Sequence, residues 1–253
     1  MSEFYESDRA VNEYLLFHYG AENEVMPYAD GPRAALNYPV RCVTTFADRI
    51  GFHPAMRALD LGCAVGRSSF ELARVCGEVV GIDFSERFIA CADRLRRDGE
   101  MAFSYVDHGE LERQSVARVD GSIDRGRVHF EQGDAMFPRD GLGRFDVVLM
   151  ANLIDRLMDP SKCLKGLEKL VNPGGFVILT SPYTWLEEYT PKSNWIGGKL
   201  EAGGEVTTLQ GLKNAMKGGF DLIADADLPF LIREHARKFQ WSVAQGTLWQ
   251  RLP

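Results

Sequence analysis

From Met56 to the end of the chain, short runs rich in valine and isoleucine alternate with longer amphipathic stretches. This is the pattern of strand–helix units feeding a parallel sheet. The strand segments are MRALDL (56–61), EVVGID (78–83), RVHFEQ (127–132), FDVVLM (145–150) and GFVILT (175–180), followed by FDLIADADLPFLIRE and QWSVAQGTLWQR. The first five are separated by enough chain for crossover helices, whereas the last two are close enough to pair antiparallel at one sheet edge. The pattern predicts an α/β fold, a doubly wound seven-stranded and mostly parallel sheet.

Two segments lie outside this scheme. In the first fifty or so residues, the apolar spacing of SDRAVNEYLLFHYG and NYPVRCVTTFADRI predicts helices, with Ser7 as an N-cap and Gly20 as a stop. They are expected to form a cap over a ligand pocket. The stretch 98–126 is polar and turn-rich, and reads as an insertion before the third strand. A chain of 253 residues suits one large α/β domain or two small ones. The order of motifs below favours one, with 1–50 as the helical cap and 51–253 as the core.

Charge and cysteine usage narrow the setting. With 29 Lys and Arg against 36 Asp and Glu, the formal charge of −7 gives no electrostatic reason to expect a nucleic-acid partner. Cys42, Cys63, Cys76, Cys91 and Cys163 show no C-x-x-C spacing and read as reduced, mostly buried thiols. The acidic start MSEFYESDRA lacks the features of a secretory signal, and no apolar stretch reaches membrane-spanning length. A cytoplasmic protein with a small-molecule ligand and no membrane partner is expected.

The strongest chemical signal is LDLGCAVGRSSFELA, where a strand ends in Asp60, a glycine-rich turn runs from Gly62 through Cys63 to Gly66, and a helix begins near Arg67. Glycines let backbone approach a ligand closely, and a helix start presents unpaired N–H groups. A dinucleotide loop would read G-x-G-x-x-G, and Ala64 at the second glycine position weakens that reading and with it a nicotinamide dehydrogenase. A tight strand-to-helix turn also needs glycine without any ligand. The second strand ends in Asp83, whose carboxylate can accept from both ribose hydroxyls, and Phe84 beside it can pack on adenine. The competing reading of Asp83 is a helix cap for FSERFIACADRL. In GDAMFP, Gly133 opens a turn, Asp134 can accept from an adenine amino group, and the Ala135 N–H can donate to a ring nitrogen. An ordinary turn is the alternative. Ala151 and Asn152 follow the fourth strand at the sheet edge where ligands of open α/β folds gather.

In spacing and order these motifs resemble class I S-adenosylmethionine (SAM)-dependent methyltransferases over roughly residues 56–185, which implies SAM as cofactor and S-adenosylhomocysteine as product. A non-catalytic SAM-binding protein stays as the alternative of another class. The flanking segments FYESDRAVNEYLLFHYG, ALNYPVRC and SPYTWLEEYTPKSNWIGG resemble the methyltransferase of ovothiol biosynthesis, in its stand-alone form. That resemblance implies transfer of the SAM methyl to an imidazole nitrogen of 5-thiohistidine, giving ovothiol A, and a functional link to a separate sulfoxide synthase. Another small-molecule N- or O-methyltransferase is the runner-up.

SAM carries an activated methyl, so the enzyme has to desolvate the nucleophile and hold it in line about 3 Å away. Asp155 and Arg156 are candidates to clamp the acceptor, Asp155 on an imidazole N–H or amino group and Arg156 on the carboxylate. A solvated helix face competes with that reading. Tyr183, Trp185, Glu187 and Glu188 form a second acceptor group, with a lid packed for stability as the alternative. Tyr14, Tyr19, Tyr38 and Arg41 can reach the methionine end of SAM or the acceptor, although helical spacing favours a core role for Tyr14. His18, His53, His108, His129 and His235 show no metal-ligand spacing, so no catalytic metal is expected, and His129 reads as structural.

Overall fold

The computed structural model describes the backbone of residues 3–201 and 203–253, with side chains from Tyr5 onward. Met1 and Ser2 of the acidic start lie outside the described residues. Among the described residues four α-helices precede the sheet: α1 (Asp8–Tyr19), α2 (Glu22–Val25), α3 (Tyr38–Thr44) and α4 (Ala47–Ile50). Ser7 caps α1 as expected, its hydroxyl accepting from the Ala10 N–H at 3.1 Å. Gly20 ends the helix with its N–H bonded to Leu16 O.

The first two strand–helix units are β1 (Arg57–Leu61) with α5 (Arg67–Val75) and β2 (Glu78–Asp83) with α6 (Glu86–Asp98). The stretch 98–126, expected to be turns, instead contains an antiparallel hairpin of β3 (Glu100–His108) and β4 (Leu111–Arg118). Met101, Phe103 and Ala117 are its buried contribution to the core. The main sheet resumes with β5 (Val128–Gln132), β6 (Phe145–Ala151), α7 (Pro160–Leu170) and β7 (Val171–Ser181). A small hairpin, β8 (Lys199–Glu201) and β9 (Gly204–Val206), precedes α8 (Thr208–Met216) and the long pair β10 (Phe220–His235) and β11 (Lys238–Arg251).

Seven strands form one sheet in the order β10-β11-β7-β6-β1-β2-β5, with β11 antiparallel to both neighbours and the rest parallel. The central strands are buried on both faces, so successive residues feed opposite cores. Val147 and Leu149 of β6 join the layer of α1, α3, α5 and α6, whereas Val148 and Met150 join that of α7 and α8. Strand order reverses between β1 and β6, which opens a crevice at their carboxyl ends. Among the described residues no helix is long and apolar enough to cross a membrane. The five cysteines are free, and all but Cys91 are buried.

Candidate functional site

A cavity of about 320 Å³ occupies that crevice. Its floor begins with the turn after β1, where the N–H groups of Gly62 and Cys63 both donate to Ile82 O, at 2.8 and 3.0 Å, and pin the turn to β2. Gly62 lies at φ 83°, and a Cβ there would stand 2.9 Å from Leu153. Ala64 also adopts left-handed backbone, φ 47°, and its N–H donates to Asp83 Oδ2 at 2.9 Å. The other Asp83 oxygen accepts from the Ser85 N–H at 2.9 Å. Ser85, not Asp83, is the side-chain cap of α6, accepting from the Phe88 N–H. The capping alternative for Asp83 therefore gives way to a carboxylate that ties two backbone segments and keeps lone pairs for a ligand. Burial pushes its carboxyl above the ordinary range, against the pull of the two N–H donors.

Asp60 is 1% exposed yet lines the cavity. Its Oδ2 accepts from the Ser69 hydroxyl at 2.6 Å, while Oδ1 has no hydrogen-bond partner among the described residues. Burial pushes this carboxyl up to about 7. Such an orphaned oxygen suits a ligand's amino group. Farther along, the Gly133 N–H donates to Asp83 O at 2.9 Å, joining the ends of β2 and β5. Asp134 uses Oδ1 to accept from the Met136 N–H at 2.8 Å. Asn152, left-handed at φ 51°, is held by the buried Tyr38, whose hydroxyl lies 2.6 Å from both Asn152 Oδ1 and Thr180 Oγ1.

The facing wall belongs to the N-terminal cap. Tyr14, Phe17 and His18 of α1 line it, with Tyr5 and Glu6 nearby. The strap before α1 is fastened to α6 by Ser85 Oγ donating to Tyr5 O at 3.1 Å and by Arg87, which donates to Glu6 O and pairs with Asp8. Arg156 completes this side. Its Nη1 donates to Asp155 O, Asp155 Oδ2 and Thr184 O, and its guanidinium lies 4.8 Å from the Tyr189 ring centroid.

Residues 52–227, more than two thirds of the chain, match a family model described as a methyltransferase domain. The chain belongs to the methyltransferase-domain family. Among curated relatives, a ubiquinone biosynthesis O-methyltransferase from Azorhizobium caulinodans is 29% identical over 126 residues, 50% of this chain and 40% of that protein. Cycloartenol-C-24-methyltransferase 1 from Oryza sativa subsp. japonica is 26% identical over 190 residues, 71% of this chain and 48% of that protein. The chain thus spans less than half the length of these two relatives. Among solved structures, the [4+2]-cyclase SpnF superposes with a TM-score of 0.61 at 16% identity, covering 99% of this chain and 95% of that one. N-methyltransferase NodS from Bradyrhizobium japonicum WM9, solved with S-adenosylhomocysteine, gives 0.53 at 13% identity, covering 95% and 98%. At such distances the shared property is the fold, and the site must decide the reaction.

The residues of this methyltransferase-domain chain fit the family's methyl donor, SAM. Asp83, Phe84 and Asp134 line the cavity, where Asp83 could meet a ribose and Phe84 and Asp134 an adenine, and the orphaned Asp60 Oδ1 suits an ammonium group. Gly62, Cys63, Asp83, Phe84, Gly133, Asp134, Ala135, Ala151, Asn152, Tyr38, Asp60 and Arg156 all line the cavity.

Several expected site residues do not. Gly66 is absent from the lining, and its missing Cβ serves packing, since one would stand 2.6 Å from Phe130 Cζ. Arg67 turns away to pair with Glu71 at 3.0 Å and lie over the Tyr19 ring. Arg41 bonds to the Leu36 and Pro229 carbonyls, and the Tyr19 hydroxyl to Val65 O. Asp155 is wholly buried behind Arg156, held by the Thr184 N–H at 3.0 Å, and so positions its neighbour without facing a ligand. In the second acceptor group, Tyr183 bonds Gln245, Trp185 is buried with Nε1 donating to Thr208 Oγ1, and Glu187 and Glu188 are exposed. None of the four lines the cavity, so the packed-lid alternative fits Trp185. His129 sits within β5, as expected, with its side chain exposed. The sequence reading missed Phe17 and His18, whose only signal was membership of an amphipathic helix already predicted to cap a pocket, and it favoured core for Tyr14, which lines the cavity.

Proposed function

We propose that this protein uses SAM to methylate an imidazole nitrogen of 5-thiohistidine, giving ovothiol A and S-adenosylhomocysteine. The observation that carries the reading is the wall facing the nucleoside carboxylates, where Tyr14, Phe17 and His18 offer flat faces and Arg156 a guanidinium. That pairing suits a small flat ring bearing a carboxylate. Two of the three segments resembling the ovothiol methyltransferase, FYESDRAVNEYLLFHYG and ALNYPVRC, supply this wall and Tyr38. The third supplies Thr184 and Tyr189, which hold Arg156.

SAM supplies a sulfonium methyl: its S–C bond breaks with the electron pair going to sulfur, a bond forms from ring nitrogen to the methyl carbon, and one proton leaves the ring. The protein's part is orientation. The aromatic wall excludes water from the nucleophile, Arg156 grips the carboxylate, and the acceptor's own sulfur, intrinsically the better nucleophile, is turned away. A separate sulfoxide synthase would supply the sulfur-bearing precursor. The curated relatives named as O-methyltransferases favour a second reading, methylation of another small molecule.

Labelled SAM presented with 5-thiohistidine, histidine and other sulfur-bearing analogues, followed by mass spectrometry and NMR of products, tests the proposal. N-methylation of 5-thiohistidine in preference to the other acceptors is expected. A product methylated on sulfur, or label transferred only to acceptors without an imidazole, would overturn it.

A further inference from the structure

The α1 wall carries a polar group for which the cofactor has no use. His18 lines the cavity from the last turn of α1, its ring centroid 5.7 Å from Tyr14 and 5.3 Å from Phe17. Its Nδ1 is buried without a hydrogen-bond partner among the described residues. Neighbouring hydroxyls are committed, Tyr38 to Asn152 and Thr180 and Tyr19 to Val65 O. A buried polar atom left unpaired is costly, so one persisting in a residue that lines a cavity calls for a partner atom.

We infer that His18 receives the ring N–H of the acceptor and thereby selects which ring atom faces the methyl; the inference rests on the N-methylation reading above. A neutral imidazole acceptor has one N–H and one bare nitrogen. With the N–H held by His18, the bare nitrogen becomes the nucleophile, the new N–C bond forms there as the sulfonium S–C bond gives its pair to sulfur, and the ring's surplus proton leaves to water. Burial, reinforced by nearby Arg67, lowers His18 to about 3. The ring is therefore neutral, and in the tautomer with its proton on Nε2 the unpaired Nδ1 is a hydrogen-bond acceptor. Asp60, Asp83 and Asp134, the groups matched above to the cofactor, lie at or just past the carboxyl ends of β1, β2 and β5, whereas the His18 ring belongs to the α1 wall. Flanked by Tyr14 and Phe17, it matches a planar N–H ring instead.

Steady-state kinetics, product NMR and calorimetry with SAM on His18→Phe and His18→Asn test this. In His18→Phe, the acceptor kcat/KM is expected to fall about 10- to 100-fold, as misplacement at the reacting centre does, with methylated isomers absent from the wild-type product. SAM affinity is expected to stay within about twofold, as for sites without shared partners. His18→Asn retains an acceptor atom and is expected to recover part of the rate and the wild-type regiochemistry, and it carries the test alone if the Phe variant does not fold. Wild-type kinetics and product in the variants would overturn the inference alone, as would loss of SAM affinity with acceptor constants unchanged. A wild-type protein that methylates no ring N–H acceptor would overturn the functional reading, and this inference with it.

Discussion

Ala64 and Asp83 are joined at the cavity floor, the Ala64 N–H donating to Asp83 Oδ2 at 2.9 Å, and the bond holds a residue with a Cβ at φ 47°. Left-handed backbone disfavours such a residue by roughly 1–2 kcal/mol. A hydrogen bond to a charged group contributes about 1.5–3 kcal/mol, enough to offset it. The carboxylate expected to meet the ribose thus also shapes the turn beneath the rest of the cofactor.

Asp83→Ala is therefore expected to weaken SAM binding by about 1.5–3 kcal/mol, roughly 10- to 150-fold. Calorimetric titration of the folded variant reads this directly. Unchanged affinity would remove Asp83 from the cofactor site.

Tyr38→Phe tests the second anchor. Its hydroxyl is buried between Asn152 and Thr180 at 2.6 Å from each, so deleting it removes two hydrogen bonds, leaves Thr180 Oγ1 and Asn152 Oδ1 only their longer mutual contact at 3.3 Å, and is expected to lower stability by about 1–3 kcal/mol. Urea unfolding measures the loss. A variant as stable as wild type would show that Thr180 and Asn152 close the gap between themselves.

How far the sequence reached depended on whether burial left a pattern. Strands β1, β2, β5 and β6 are apolar runs between turn residues, and their predicted bounds fall within one residue of those observed. The β3–β4 hairpin escaped because its second strand exposes Leu111, Glu112, Arg113 and Gln114 in succession, leaving no alternation to read. The sheet side of the cavity was legible because Asp60, Asp83, Gly133 and Ala151 sit at or just past strand ends, where chain position fixes spatial position, whereas Tyr38 enters from α3. The acceptor side was less so: Trp185 and Glu187 lie in a segment without periodicity, whose side-chain directions depend on tertiary packing with Thr208 and Trp195. His18 was hidden among the apolar positions of α1.

For Trp185 the expected effect follows its burial. Trp185→Ala removes a large side chain packed on Trp195 and is expected to destabilise by about 3–5 kcal/mol, whereas the exposed Glu187→Ala is expected to be within about 0.5 kcal/mol of wild type. Thermal melts and acceptor kinetics measured together separate the roles. A Glu187→Ala protein of normal stability but raised acceptor KM would bring that segment back into the site.

Asp60 and His18 give the ligand-free protein pH dependences of opposite sign. Burial raises Asp60 from 3.8 to about 7, so the folded chain keeps a proton that the unfolded chain releases. This contribution to stability is full below the unfolded value and is lost as pH rises through about 7. Burial and then Arg67 lower His18 from 6.5 to about 3. Its contribution is full above 6.5 and is lost as pH falls toward 3. The stability of wild type relative to Asp60→Asn is therefore expected to fall with rising pH, and its stability relative to His18→Phe to fall with falling pH. Denaturant unfolding across this range checks both, and parallel curves would refute the burial argument.

The choice of nitrogen over sulfur depends on how firmly the acceptor is held. Arg156 is anchored through Nη1 to both Asp155 and the Thr184 carbonyl, and it helps line the cavity. Asp155, wholly buried, fixes the aim of that group without meeting the acceptor itself. If Arg156 grips the acceptor's carboxylate, removing the anchor leaves the charge present but its direction loose. A displacement of about 1 Å at the reacting atoms can lower the rate on the order of 100-fold. The acceptor's thiolate, intrinsically the stronger nucleophile, then competes for the methyl. Asp155→Ala is accordingly expected to lower N-methylation about 10- to 100-fold, with SAM affinity nearly unchanged and S-methylated product appearing. Arg156→Lys, which keeps the charge but loses the two-pronged geometry, is expected to raise acceptor KM and show the same leak to sulfur. NMR of the products formed from 5-thiohistidine is the readout. Full rate and pure N-methylation in both variants would take this pair out of acceptor positioning and leave regiochemistry to the α1 wall.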